Sequence, residues 1–266
     1  MTKKVLLGLG ALVAVVAGVS AMSAFEAHVI NVVAKIENAL SVSTRAINFG
    51  TVFPQEHLNK PLTVQLSQSF LEEPNADDVE YIIRQKPKCG WTTGDGGTLI
   101  GGTATGHVVV STSTGEVTID CGEAPTPAPD PQVYPNAKWG LLPSLCEYIS
   151  KEPDGEPAND DTTPSFHQPY TVVKNATTGE YELVWLDTKG YLAVSDSDLV
   201  DNWTIDLSVP CFGNYCAQDW EEWVKSINPL ADPSMYTQPI ENEHKIFGCD
   251  LWVEVTAISR TEEQGE

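Results

Sequence analysis

The chain has 266 residues, with 15 Lys and Arg set against 37 Asp and Glu, for a formal net charge of −22 at pH 7. A surface that acidic repels nucleic acid and anionic lipid, which excludes both as partners, while it attracts divalent cations. The length suits one large all-β domain or one domain carrying a sizeable insertion.

Residues 1–24 have the layout of a secretory signal. Lys3 and Lys4 precede the apolar run "VLLGLGALVAVVAGV", and small residues follow at Ser20, Ala21, Ser23 and Ala24. The run is short and glycine-rich for a membrane span, which needs ~20 apolar residues. Cleavage is expected after Ala24, leaving Phe25 first, with a retained anchor as the alternative. The next stretch, "FEAHVINVVAKIENALSVS", alternates apolar and polar residues, placing Ile30, Val32, Ala34 and Ile36 on one face of a strand.

Strand signals dominate the rest. "AINFGTV" and "PLTVQLSQSF" read as strands joined by the turn "FPQEHLNK". "DVEYIIRQKPKC" places Val79, Tyr81 and Ile83 on one side. "GHVVVSTSTGEVTIDCG" reads as a hairpin turning near Ser113 to Gly115, and "YTVVKNATTGEYELVWL" as another, turning at "NATTGE". "GYLAVS", "NWTIDLSVPCF" and "CDLWVEVTAIS" complete the set. Between them, "CGEAPTPAPDPQVYPNA" and "EPDGEPANDDTTP" are loops. Short helices are expected within "WGLLPSLCEYISK", carrying Cys146, and at "CAQDWEEWVKSIN", where Trp220, Trp223, Val224 and Ile227 follow helical spacing. These patterns predict an all-β, jelly-roll-like antiparallel β-sandwich over residues 25–266. A loop-rich, cysteine-containing insertion at about 89–180 and an acidic tail at 261–266 complete it. No repeat of fixed period occurs.

Six cysteines, Cys89, Cys121, Cys146, Cys211, Cys216 and Cys249, all follow the signal. An even number in an exported chain reads as up to three disulfides, with 15 connectivities open. Zinc is the rival reading, but there is no C-x-x-C pair and the spacing is irregular. Enzyme motifs are absent: no HExxH, GxSxG, P-loop or dinucleotide fingerprint occurs. The expectation is a protein that is not an enzyme and has no cofactor. One candidate metal site is "VSDSDLVDNW", whose Asp196, Asp198 and Asp201 have the oxygen chemistry of calcium. The plainer reading is an acidic turn with serine spacers. Trp220 and Trp223 could stack on sugars, but beside Val224 and Ile227 they read as a core-facing stripe.

The ends of the chain resemble a known group. "KKVLLGLGALVAVVAGVSAMSAF" followed by a strand is similar to the export signals of the TasA/camelysin family of bacterial and archaeal surface proteins. "FGTVFPQEHLNKPLTVQLSQSF…VEYIIRQK" is similar to that family's early strand pair, with Pro54 and Lys60 at the matching positions, and "NWTIDLSVP" and "CDLWVEVTAIS" look like its closing strands. The resemblance covers residues 1–88 and 202–266. The segment bearing Cys89, Cys121 and Cys146 departs from cysteine-poor members. Family members have also been called metallopeptidases; no ligand set here carries that name over. The resemblance implies a self-associating jelly-roll subunit of an extracellular fibre. Its N-terminal strand (Phe25, Ile30, Val32, Ala34, Ile36) would complete the next subunit's sheet. The alternative function is a binding module, its insertion recognising glycan, calcium or another protein.

Overall fold

A computed structural model describes residues 35–155 and 158–260. The expected signal with its cleavage site at Ala24, the strand positions Phe25, Ile30, Val32 and Ala34, and the tail 261–266 lie outside the described residues. Ile36 is described and is 92% exposed. From Glu37 onward the chain forms one compact unit.

The protein is all-β and antiparallel. One three-stranded sheet has the order β1 (Leu40–Val42), β2 (His57–Leu66), β12 (Val200–Ser208). A second has the order β11 (Thr188–Ala193), β3 (Ala76–Lys86), β13 (Asp250–Arg260). Alternation makes each strand two-faced. Leu62, Val64 and Leu66 of β2 and Trp203, Ile205 and Leu207 of β12 share one buried cluster with Val79, Tyr81 and Ile83 of β3 and Leu192 of β11. Burying a side chain of this size contributes about 1.5–3 kcal/mol, so this inter-sheet layer dominates the stability.

Between the hydrogen-bonded neighbours β3 and β11 the chain makes its long excursion. β4 (Lys88–Thr92), β5 (Leu99–Thr105) and β8 (Lys138–Leu141) form a small sheet. β6 (His107–Val110) pairs with β7 (Val117–Asp120), and β9 (Tyr170–Lys174) with β10 (Tyr181–Trp185). Both hairpins turn where the sequence predicts. Three disulfides form: Cys89–Cys121, Cys146–Cys249 and Cys211–Cys216. The first closes a loop inside the excursion, the second ties the excursion to the start of β13, and the third is local.

Two local readings change. "AINFGTV" is not a strand: residues 43–52 run without secondary structure, packing Ile47, Phe49 and Val52 on the core. β2 instead begins inside the predicted turn, after Gln55 takes a φ of 65°. "WGL", Trp139 to Leu141, falls in strand β8, drawn in by pairing with β4, and the helical part of that stretch is one 3-10 turn, Cys146–Tyr148. The short helix α1 (Gln68–Leu71) is capped by Ser67, whose hydroxyl accepts from the Phe70 amide. Helix α2 (Trp220–Ile227) forms as the spacing predicts. Its Trp220 is buried, and Trp220 and Trp223 both meet the Phe166 ring edge-on, so the pair belongs to the core.

Candidate functional site: the open side of the sandwich and its buried polar centre

The two sides of the sandwich are built differently. On the side where β12 and β11 are the outer strands, residues 149–155 and 158–163 close the gap. Ser150 N–H donates to Asp206 O (2.8 Å), and Glu152 and Thr204 exchange both backbone bonds (3.0 and 2.7 Å). Asp161 N–H reaches Lys189 O at 3.0 Å, and the Thr163 and Thr188 hydroxyls meet at 2.6 Å. Lys151 and Thr163 pair with each other across the strap.

No such strap occurs on the opposite side among the described residues. β1 covers only Val64 to Leu66 of β2, so residues 57–63 are, among the described residues, paired to β12 alone. On the other sheet, β13 is an eleven-residue outer strand. Among the described residues, no backbone group of 251–260 bonds outside the β13–β3 ladder. Its regular part, Asp250–Val255, precedes irregularities after Val255 and Ile258. Trp252, Val255 and Ile258 are each more than two-fifths exposed. An outer strand with unpaired backbone and exposed apolar side chains is a template for another strand.

The excursion, with Asn242 and Lys245 from beyond it, lines a cleft of about 580 Å³ whose walls include Lys138, Trp139, Glu147 and Tyr170. Burial pushes the Glu147 carboxyl up, against the bond it accepts from Ser144 Oγ at 2.6 Å.

Asp196, Asp198 and Asp201 do not gather around a common point. Asp196 is exposed in the β11–β12 turn, while Asp198 and Asp201 are buried. Asp198 accepts from Asn159 Nδ2 at 3.4 Å. Asp201 accepts from the Tyr81 hydroxyl, which itself accepts from Trp203 Nε1 at 2.7 Å. Among the described residues no three His, Cys, Asp or Glu side chains are placed to hold a metal. Burial first, then the charges of Asp160, Asp198 and Asp154, push the Asp201 carboxyl up to about 8. Asp160 is raised to about 6 by burial first and then by the charges of Asp198, Asp154 and Asp161.

Sequence reading missed the polar centre beneath the strap. Lys151 and Gln85 are fully buried and His167 is 6% exposed. Gln85 Oε1 receives Lys151 Nζ at 2.6 Å and faces His167 Nε2 at 2.6 Å. Gln85 Nε2 donates to the carbonyls of Cys146 (2.8 Å) and Ile149 (3.4 Å), which fixes the orientation of the amide. His167 Nδ1 lies 2.7 Å from Pro164 O. Burial pushes Lys151 down to about 7 and His167 down to about 3, the latter helped by the Lys151 charge. A signal for the cluster was present: Gln85 continues the inward row Val79, Tyr81, Ile83, and a polar residue in such a row requires a buried partner.

Comparison of the chain with protein-family models, with curated proteins and with solved structures finds no significant match.

Proposed function

We propose that the protein is a secreted or cell-surface structural subunit, a jelly-roll-like sandwich that assembles into fibres by strand donation. Residues 25–36 of one copy add to the open side of the next, with Ile30, Val32, Ala34 and Ile36 as the apolar row. The observation that carries this reading is the pair of strand edges on one side of the sandwich, those of β2 57–63 and β13, that are left unpaired among the described residues. Head-to-tail donation does not close on itself and so gives filaments. Three disulfides support an oxidising compartment, and no described helix is long and apolar enough to cross a membrane.

Negative-stain electron microscopy of the purified exported protein, beside a variant lacking Phe25–Asn38, tests the reading. Filaments from the intact chain, and none from the truncated chain with an unchanged circular dichroism spectrum, are expected. Monodisperse intact protein across salt, calcium and pH refutes it. The cleft walled by Trp139 and Tyr170 favours a second reading, a module binding glycan or protein through the excursion. A truncation that still binds a glycan array, from a parent that never assembles, would select it.

A further inference from the structure

We propose that Asn175 carries an N-linked glycan, attached through its side-chain nitrogen at the tip of the β9–β10 hairpin. The inference rests on the reading of the chain as exported, because this modification belongs to surface loops of secreted proteins.

Two stretches have the acceptor pattern of Asn, any residue but proline, then Thr: Asn175-Ala176-Thr177 and Asn202-Trp203-Thr204. The pattern alone does not choose between them, but the fold does. Asn175 follows the last residue of β9, and Ala176 to Glu180 after it are all exposed. Asn175 itself builds the turn. Its N–H donates to Glu180 O and its carbonyl accepts from the Gly179 amide, both at 2.8 Å. Its Oδ1 accepts from the Thr177 and Thr178 amides at 2.9 and 3.2 Å, so the oxygen end of the carboxamide lies over the loop's own backbone. The nitrogen end has one partner, the carboxylate of exposed Glu182, at 2.8 Å. Water replaces such a surface bond with little loss. The Thr177 hydroxyl, which the pattern requires, makes no hydrogen bond among the described residues. Below the tip, five residue pairs hold the hairpin, which presents the loop as a projection.

Asn202 is placed differently. It lies within β12, opposite Thr63 of β2. Trp203, the middle residue of its pattern, is 1% exposed, and Thr204 exchanges both backbone bonds with Glu152. Asn202 Oδ1 accepts from Thr63 Oγ1 and Nδ2 donates to Asp154 Oδ2, each at 3.2 Å. A transferring enzyme must take all three acceptor residues into its own site. At Asn202 that would strip β12 from its neighbours and pull Trp203 from the core, whereas at Asn175 it disturbs one exposed turn.

The transfer balances. The co-reactant is an oligosaccharide joined through a diphosphate to a membrane lipid, and an oligosaccharyl transferase brings the two together. Asn175 Nδ2 bonds to C1 of the first sugar, and the C1–O bond to the diphosphate breaks with its electron pair on the leaving oxygen. One Nδ2 proton passes to a base of the transferase and from there to the released lipid diphosphate. Nothing is oxidised or reduced. The glycan then stands on the excursion, on neither of the strands with open edges, β2 and β13.

Mass spectrometry of the protein recovered from the medium and surface of the cells that naturally make it tests this. Trypsin separates the two patterns, since Lys174, Lys189 and Lys225 bound peptides 175–189 and 190–225. After reduction, peptide 175–189 should be heavier by whole sugar residues, with fragmentation placing them on Asn175, and 190–225 should have the mass of its sequence. Asn175→Gln and Thr177→Val should each remove the added mass, while Thr177→Ser, which keeps the hydroxyl, should retain it. Exported protein with its signal removed and a bare 175–189 peptide overturns the proposal and leaves the export reading standing. Bare protein found only inside the cell overturns both. Sugar that persists in Asn175→Gln overturns the proposal as well, because it would then sit on a threonine, and so does sugar on 190–225 in place of 175–189.

Discussion

Asp201→Asn should make the protein less sensitive to alkaline pH. Asp201 is 1% exposed on β12, and its carboxyl titrates at about 8 instead of 3.8. Between those values the folded state holds a proton that the unfolded state has released, so stability falls as pH rises, by about 1.36 kcal/mol per unit. From pH 5 to 8 this gives at most about 4 kcal/mol, and solvent penetration and local relaxation reduce it to on the order of 2 kcal/mol. Asparagine matches the shape of the protonated acid, still accepts from the Tyr81 hydroxyl, and presents an N–H group to the Asp160 and Asp198 side. Thermal melts at pH 5, 6, 7 and 8 with disulfides intact should show similar midpoints for the two proteins at pH 5. By pH 8 the variant should melt higher by about 4–8 °C, using 2–4 °C per kcal/mol for a domain of this size. Parallel curves for wild type and variant would refute the reasoning, because they would mean that Asp201 ionises inside the fold without cost.

Further outcomes follow from packing and covalent links. Replacing Cys146 and Cys249 by alanine opens a span of 103 residues and should cost about 4.7 kcal/mol, against about 2 kcal/mol for the five-residue span of Cys211 and Cys216, as read by chemical denaturation. Equal losses would contradict that loop-entropy reading. Phe166 has no exposed surface and meets the rings of Tyr148, Trp220, Trp223 and Tyr236, so Phe166→Ala should cost about 3–5 kcal/mol and loosen α2. Near-ultraviolet circular dichroism of the tryptophans would register that loosening, and an unchanged spectrum would count against it. Gly190 lies opposite Tyr81 in the ladder, and a Cβ there would overlap the Tyr81 ring. Gly190→Ala should therefore displace the ring from Asp201 and destabilise by about 2 kcal/mol or more; a variant as stable as wild type would show that the ring has room to move.

Much of the sheet architecture was legible because half-buried strands write a period of two into the sequence. The hairpins at 107–120 and 170–185 show it, with Gly115 and Gly179 taking the left-handed turn conformation. β5, "LIGGTAT", escaped notice because its glycines erase the alternation. "AINFGTV" has the alternation but no ladder: its apolar residues do pack inward, and periodicity reports burial without reporting backbone pairing. The pairing of six cysteines depends on which strands become neighbours, and composition does not encode that. The acidic turn at 194–201 was legible as acidic, but not that two of its carboxylates turn inward. Lys151 ends a stretch read as holding a short helix and His167 follows a stretch read as loop; both cover the core because β11 and β12 leave a side to be closed.

Strand β3 lies between β11 and β13, the second of which ends the described chain. A middle strand whose heavier partner lies far downstream stays unsatisfied until that partner has been made. Until then Val79, Tyr81 and Ile83 have one flank unsupported, and the nascent molecule stays pliable. Closure of the second sheet then waits for β13, and the Cys146–Cys249 link can form only once Cys249 has been made. The order of strands thus delays closure of the second sheet until β13 has been made, and the disulfide then secures that closure covalently.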